Sequence, residues 1–461
     1  MTSKKTNLLG MSLAELQQLC AVEGMPRFAA QQMCDWLYAK QVDSIDAMTN
    51  ISLRSRARLK EIAFIGRHEP VNCQVSKDGT KKYLFRIENG EMRMENDPDA
   101  ETNSQFSIPN SQLENAETNS QFSISNSQLE NAEANSQFPI PNSQFPIPNS
   151  QFSIPNSQLK NAEANSQFPI PNSQLKNAEA NSQFSIPNSQ LKNAEANSQF
   201  SIFNSQLYKY VEAVFIPDGD RGTLCVSCQM GCKMGCRFCV TGQQGFHGNL
   251  SAAEILNQLF SIPEFYRLTN IVYMGMGEPM DNLDNVLRST EVLTASWGLG
   301  WSPHRITVSS VGIVPGLRRF LDVSQCHVAV SLHNPFAAER LDIMPMQRVY
   351  PIADVVALLR QYDWSGQRRI SFEYTMFSGL NDDLRHAAEL VRLLKGLYCR
   401  VNLIRFHASP DTPFKTSSAQ AMERFKEYLN SHGITCTIRA SRGEDIMAAC
   451  GLLAGQATHA D

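Results

Sequence analysis

A unit of sixteen residues repeats through the middle of this chain and limits what the remainder can fold into. NSQFSIPNSQLENAET begins at Asn103 and returns with small changes at Asn119, Asn135, Asn149, Asn165, Asn181 and Asn197. The step is 16 residues, except between Asn135 and Asn149, where two seven-residue NSQFPIP units stand instead. Residues 103–207 hold no Cys, Gly, His or Trp, but 9 of the 22 Pro and 9 of the 24 Phe. Each unit offers a Phe/Ile pair and little more, broken by Pro and Asn. That burial is small against roughly 1–2 kcal/mol of backbone entropy per ordered residue. The reading is a disordered tandem-repeat insertion over 93–207. A solenoid stacking the Phe/Ile pairs is the alternative.

The flanks support insertion. KKYLFRIENGEM, from Lys81, reads as a strand entering a turn, and YKYVEAVFIPDGDRG, from Tyr208, as the returning strand. Residues 66–92 and 208–221 then form one connecting β-hairpin, interrupted at the tip, where insertions are tolerated.

With the insert set aside, charge becomes easier to read. Residues 103–207 carry seven Glu against three Lys, so the whole formal charge of −4 lies there, and the rest has 38 basic and 38 acidic residues. A nucleic-acid partner therefore needs a local patch. Arg54–Lys60, Lys81–Lys82 and Arg368–Arg369 are candidates. No apolar run approaches the ~18 residues of a membrane span, and MTSKKTNLLG lacks a signal-peptide core. A cytoplasmic protein is expected. Twelve Cys are too sparse for a disulfide scaffold, but five fall between Cys225 and Cys239, which points to a metal or redox site.

Residues 1–65 read as a small helical domain. SLAELQQLC opens with a capping box, Ser12 with Glu15 three later. RFAAQQMCDWLY and SLRSRARLKEIAF follow. From Gly222 strands and helices alternate every 25–35 residues. GTLCVSC, TNIVYMGMG, HRITVSSVG, CHVAVSLHN, RRISFEYTMF and RVNLIRFH are the strands. SAAEILNQLFSI, LDNVLRSTEVLTA, VPGLRRFLD, ADVVALLRQY and DDLRHAAELVRLLKGL are the helices. The fold class is α/β: six units suit a partial (βα)6 barrel over 222–455, with ligands at the C-terminal strand ends.

The first strand runs into CKMGCRFC, which spaces Cys232, Cys236 and Cys239 as C-x3-C-x2-C. Three thiolates on one loop leave one iron of a [4Fe–4S] cube open to a ligand. Structural zinc is the competing reading, with Cys225 or Cys228 as fourth thiolate. The position after the first strand of a βα series favours a small-molecule site instead.

CKMGCRFC, with Phe238 before the last cysteine, resembles the signature of radical S-adenosylmethionine enzymes, and GMGEP at Gly275–Pro279 is similar to their second motif. PDGDRGTLCVSCQ, CRFCVTGQQGF, YMGMGEP, TVSSVGIVP, VSLHNP and RGEDIMAACGLLAG, in this order, resemble the dual-specificity adenine-C2 RNA methyltransferase family. The likeness covers nearly all of the chain outside the insert. It implies methylation of an adenosine in 23S rRNA and of one beside the anticodon in some tRNAs. The closest rival is the C8-methylating antibiotic-resistance branch, which shares fold and cysteines. Rivals of other classes are an RNA-binding protein with a structural cluster and a scaffold built on the repeat.

The resemblance also implies roles. Cys232, Cys236 and Cys239 hold the [4Fe–4S] cluster, whose open iron chelates S-adenosylmethionine, two molecules per turnover. Gly277, Glu278, Ser309, Ser331, Leu332 and His333 contact that cofactor, as does His407, which stands where the family carries Asn. Cys450 is the methyl relay, accepting a methyl by displacement. Cys225 resolves it through a disulfide. Glu212 is the proton acceptor. C2 of adenine is an electron-poor carbon with a strong C–H bond and cannot attack a sulfonium methyl as a nucleophile; a radical route avoids that difficulty, and the target base must leave its stack. Expected partners are 23S rRNA, tRNA and an electron donor such as flavodoxin; no membrane is expected, and the chain is read as a monomer. Cys228 is read as structural, and Cys20, Cys34, Cys73, Cys326, Cys399 and Cys436 as core.

Overall fold

The computed structural model describes residues 5–87, short strands within 107–203, and residues 209–408, 412–448 and 451–453. The chain divides into two compact units, 1–93 with 209–461, and 94–208.

The first unit opens with helices α1 (Leu13–Val22), α2 (Phe28–Cys34) and α3 (Leu53–Ile62). The Ser12 hydroxyl accepts from Glu15 N and the Glu15 carboxylate accepts from Ser12 N, so the capping box read in the sequence is formed. Met33, Leu37 and Tyr38 are buried beneath it. Two-residue strands, Thr6–Asn7 and Ala63–Phe64, pair in parallel and tie the start of the domain to its end.

Ten strands then form one sheet in which every strand lies beside its neighbours in sequence. They are β1 (Asn72–Val75), β2 (Lys81–Ile87), β3 (Lys209–Asp218), β4 (Arg221–Cys225), β5 (Asn270–Tyr273), β6 (Ile306–Ser310), β7 (His327–Ser331), β8 (Ile370–Met376), β9 (Arg400–Arg405) and β10 (Thr435–Ile438). From β1 to β4 the pairing is antiparallel; from β4 to β10 it is parallel. The six expected barrel strands are all present, and β10 adds a short seventh. The expected hairpin is β2–β3, in register with Ile87 opposite Lys209. The insert thus leaves and re-enters at directly paired residues.

Helices α4 (Ala252–Phe260), α5 (Leu283–Thr294), α6 (Val314–Val323), α7 (Ala337–Ile343), α8 (Ile352–Leu359), α9 (Leu384–Leu394) and α10 (Ala419–Ser431) form the outer layer. Alternation along each strand sorts side chains between this layer and the barrel interior. Tyr273 hydrogen-bonds Ser289 of α5, and the ring of Tyr374 packs tilted against Phe425 of α10. Ser309, Ser331, Glu373, Thr375 and Ile404, at intervening positions, face the interior.

Of the cysteines expected in the core, Cys20, Cys34, Cys326 and Cys436 are buried, Cys399 is half-buried and Cys73 is exposed. Cys73 departs from expectation because β1 is the edge strand and turns alternate residues outward.

In the second unit the described residues form short strands that pair in parallel with the same residues of another copy. Leu113 lies opposite Leu129, Gln158 opposite Gln174, and Phe184 opposite Phe200. Gln144 pairs with Gln158, so the ladder absorbs the irregular step. Parallel in-register pairing is what the solenoid alternative requires. Most of 93–207, and the disorder expected of it, lies outside the described residues.

Candidate active site

At the C-terminal ends of the parallel strands a cleft opens. Cys232, Cys236 and Cys239 all line it. Their loop is folded by its own backbone: Cys232 N donates to Gly245 O (2.8 Å) and Cys239 N to Cys236 O (3.0 Å), and Cys239 caps a single helical turn, Val240–Gln243. Gly231 has φ +72°, and a Cβ there would lie 1.9 Å from Gly245 O, so only glycine lets the loop close. Burial pushes the Cys232 thiol up to about 12 and raises Cys236 and Cys239 as well. Three such thiols lining one cleft call for a cation to hold them as thiolates.

The donor set fits a three-thiolate cluster. Cys225 and Cys228, the candidates for a fourth ligand, do not line the cleft and are buried elsewhere. Cys228 serves through its backbone, its N–H donating to Met276 O and its carbonyl accepting from Leu250 N and Asn282 Nδ2. Among the described residues no three His, Cys, Asp or Glu side chains are gathered as a single ion would need. A four-thiolate zinc site needs a fourth sulfur, and neither Cys225 nor Cys228 reaches the cleft.

The second motif forms the adjoining wall. Gly277, at φ +98°, has no room for a side chain: a Cβ would lie 2.5 Å from Gln229 Cβ. Gln229 is fully buried; its Oε1 accepts from Glu278 N (2.8 Å), and its Nε2 donates to Asn249 and Asp281. Glu278 accepts from Val311 N (2.8 Å) and Met280 N (3.1 Å), yet burial outweighs these bonds and lifts its carboxyl to about 7. A bound cation beside it would favour the charged form.

Ser309, Ser331 and His333 line the same cleft. His333 sits at φ +55°, a strained backbone for a non-glycine residue, held by Asn381 Nδ2 donating to its carbonyl (2.6 Å). Its Nδ1 accepts from Thr375 N (2.9 Å), so the proton is on Nε2. Burial drives its pKa down to about 3, with Arg340 adding to the effect. Phe238 meets His333 edge-on.

Other expected residues lie elsewhere. The side chain of Leu332 is fully buried away from the cleft, and its N–H donates to Glu373 O. His407 follows Phe406, which does line the cleft, so strand alternation turns the imidazole outward to Ser441 Oγ (2.9 Å) and Glu444 (3.6 Å). Glu212 and Cys225 are buried on β3 and β4, outside the lining; Glu212 pairs with Lys82 at 3.2 Å. Cys450 lies outside the described residues. The residue after it, Gly451, lines the cleft and accepts from Val240 N (2.8 Å), while Leu453 O accepts from Thr241 Oγ1 (2.6 Å).

The proposed basic patches are largely spent on internal bonds. Lys81 pairs with Glu264, Lys60 with Asp46, and Arg58 with Glu23 and Glu61. Arg368 donates to Cys326 O and Leu321 O.

Three contributors were missed in the sequence. Arg340, fully buried, donates to Leu332 O, Ser331 O, Val311 O and Gln347 Oε1, joining the loops behind the cysteines. Nothing in AAERLDI signals this. Glu373 and Arg439 also line the cleft; the signal for Glu373 was a lone carboxylate at an inward position of the apolar strand ISFEYTM.

Residues 6–65 match the model of the ribosomal RNA large subunit methyltransferase N-terminal domain, and residues 226–391 that of the radical SAM superfamily. A probable dual-specificity RNA methyltransferase RlmN from Porphyromonas gingivalis is 42% identical over 98% of this chain and 95% of its own length. The chain belongs to the RlmN family of radical SAM proteins. A dual-specificity RNA methyltransferase RlmN from Marinobacter nauticus is 33% identical over 98% of the chain and 94% of its own length. The crystal structure of a radical SAM methyltransferase from Sphaerobacter thermophilus superposes with a TM-score of 0.68 at 30% identity, covering 98% of this chain and all of that one. Family membership agrees with the three-thiol cleft and implies a [4Fe–4S] cluster and S-adenosylmethionine as its cofactors. Among the described residues no helix is long and apolar enough to cross a membrane.

Proposed function

We propose that the chain methylates C2 of an adenosine in 23S rRNA and of an adenosine beside the anticodon in some tRNAs. The observation that carries this is the return of the C-terminal segment to the cysteine loop, Gly451 O on Val240 N, in a chain 42% identical to a probable dual-specificity RNA methyltransferase along nearly its full length. A [4Fe–4S] cluster bound in the cleft would supply one-electron cleavage of the S-adenosylmethionine sulfonium. Cys232, Cys236 and Cys239 are its ligands.

The residues of the chain do the rest. Glu278 and the backbone at Gly277 hold the cofactor's ammonium, and Ser309, Ser331 and the Nε2–H of His333 hold its polar groups. The Cys450 thiolate takes a methyl from one cofactor molecule by displacement. Glu212 accepts the proton that leaves C2, with the Lys82 ammonium 3.2 Å from its carboxylate. Cys225 forms a disulfide with Cys450 as the methylated base departs, and two electrons from outside restore the thiols. The protein acts in the cytoplasm as a monomer, fed by a flavodoxin-like donor, and residues 93–207 are a spacer outside the chemistry.

Anaerobic reconstitution with iron and sulfide, followed by assay on ribosomal RNA and tRNA fragments with methyl-labelled cofactor, tests this. 2-Methyladenosine is the expected product. 8-Methyladenosine, or no product with intact cluster, overturns it. Cys450→Ser should abolish turnover and leave no S-methylcysteine on the peptide.

A further inference from the structure

The reaction as described leaves the carboxylate of Glu373 unused. It stands on β8, directly opposite Ser331 of β7 and Asn402 of β9, and it lines the cleft. Its Oε1 accepts from Ser371 Oγ (2.9 Å) and Asn402 Nδ2 (2.8 Å). The Thr437 hydroxyl donates to Asn402 Oδ1 (2.8 Å), which fixes the amide so that its NH2 faces the carboxylate. Both donors serve one oxygen. The other, Oε2, is buried and has no hydrogen-bond partner among the described residues. Arg439 Nε stands 3.9 Å from it, beyond hydrogen-bond reach.

A side chain only 4% exposed, with one orphaned oxygen, carries the desolvation penalty of that oxygen unless a ligand supplies a donor. A carboxylate only accepts, so the ligand must donate. The guanidinium of Arg439 opposes a second cation at this place. A neutral donor remains, in a cleft whose nearby wall, Ile404 and Phe406, suits a flat apolar ring. A ribose hydroxyl attached to a purine combines these properties.

We propose that Glu373 Oε2 accepts a hydrogen bond from a ribose hydroxyl of an adenosine moiety in the cleft, with Ser371, Asn402 and Thr437 holding the carboxylate in place. The inference rests on the proposed function, which brings two such moieties here: the adenosyl group of the cofactor and the target nucleoside of the RNA.

The test is equilibrium binding to anaerobically reconstituted holoenzyme, wild type and Glu373→Gln. One arm compares S-adenosylmethionine with its 2′-deoxy and 3′-deoxy analogues. The other compares an RNA hairpin carrying the target adenosine with one carrying 2′-deoxyadenosine there. Glu373→Gln should weaken the hydroxyl-bearing ligand about 10-fold or more, and should not further weaken the matching deoxy ligand. A loss in the cofactor arm assigns the cofactor's ribose, and a loss in the RNA arm assigns the target's. Unchanged affinity in both arms, or equal loss for hydroxyl and deoxy ligands, overturns the inference alone. Failure of wild-type holoenzyme to bind either ligand overturns the proposed function, and this inference with it.

Discussion

His333 and Glu278 face the same cleft with opposite displacements. His333, ordinarily near 6.5, is held down to about 3, and Glu278, ordinarily near 4.5, is lifted to about 7. As pH falls below 6.5 the unfolded chain takes up a proton that folded His333 refuses. Its contribution to stability is whole above 6.5 and is lost toward pH 3, at up to about 1.4 kcal/mol per pH unit. Glu278 works the other way, losing stability as pH rises from 4.5 through 7. The difference between wild type and His333→Gln isolates the histidine. Urea midpoints of the apoprotein measured from pH 4 to 7 should fall less steeply with acid in the variant, and parallel curves would contradict the burial argument. Arg340 is a second single-residue case. Its fork serves four acceptors in three loops, and a lysine ammonium cannot reach them all. Arg340→Lys should cost about 3 kcal/mol in urea unfolding and lower the iron retained per chain after reconstitution. The partners of Arg340 were not legible in the sequence, because three of its four acceptors are backbone carbonyls, which carry no sequence signal. Lys81 and Lys82 were misread because their carboxylates, Glu264 and Glu212, meet them only across the folded sheet.

At the scale of elements, the sequence was legible where period and punctuation agree. The capping boxes at Ser12 and Ser251 begin α1 and α4, and the cysteine loop follows the first barrel strand as its spacing predicts. Helix α10 and strand β10 passed unnoticed. TCTI is only four residues long and AQAMERFKEYLNS is mostly polar, so its buried stripe of Ala421, Met422, Phe425 and Leu429 shows only against β9 and β10. The hairpin β2–β3 was legible despite the insert, and it yields a prediction. Since Ile87 pairs with Lys209, replacing 88–208 by a two-residue Asn-Gly turn should close it as an ordinary hairpin. The shortened protein should reconstitute its cluster and methylate RNA within about two-fold of the full chain. Loss of cluster binding would show that the insert contributes to the fold.

For the first unit as a whole, the N-terminal helices and the barrel are one packed body. Tyr38 lies against Phe260 and Trp297, and Arg67 donates to the carbonyls of Gln41 and Phe260. Asn257 on α4 accepts from His68 N and donates to His68 O, both at 2.9 Å. Asn257→Ala strands both backbone groups and should cost about 2–4 kcal/mol, read as a single cooperative urea transition at lower midpoint. Two separated transitions would mean that the domains unfold independently. This joint was not visible in the sequence, where residues 1–65 read as a small helical domain with nothing to show how it packs on the barrel.

The place where the repeat joins has an evolutionary corollary. Because the strands that flank it are paired at Ile87 and Lys209, gaining or losing a copy by replication slippage leaves that pairing in place. Copy number is free to drift between closely related isolates, and a length polymorphism there is expected to be silent for growth.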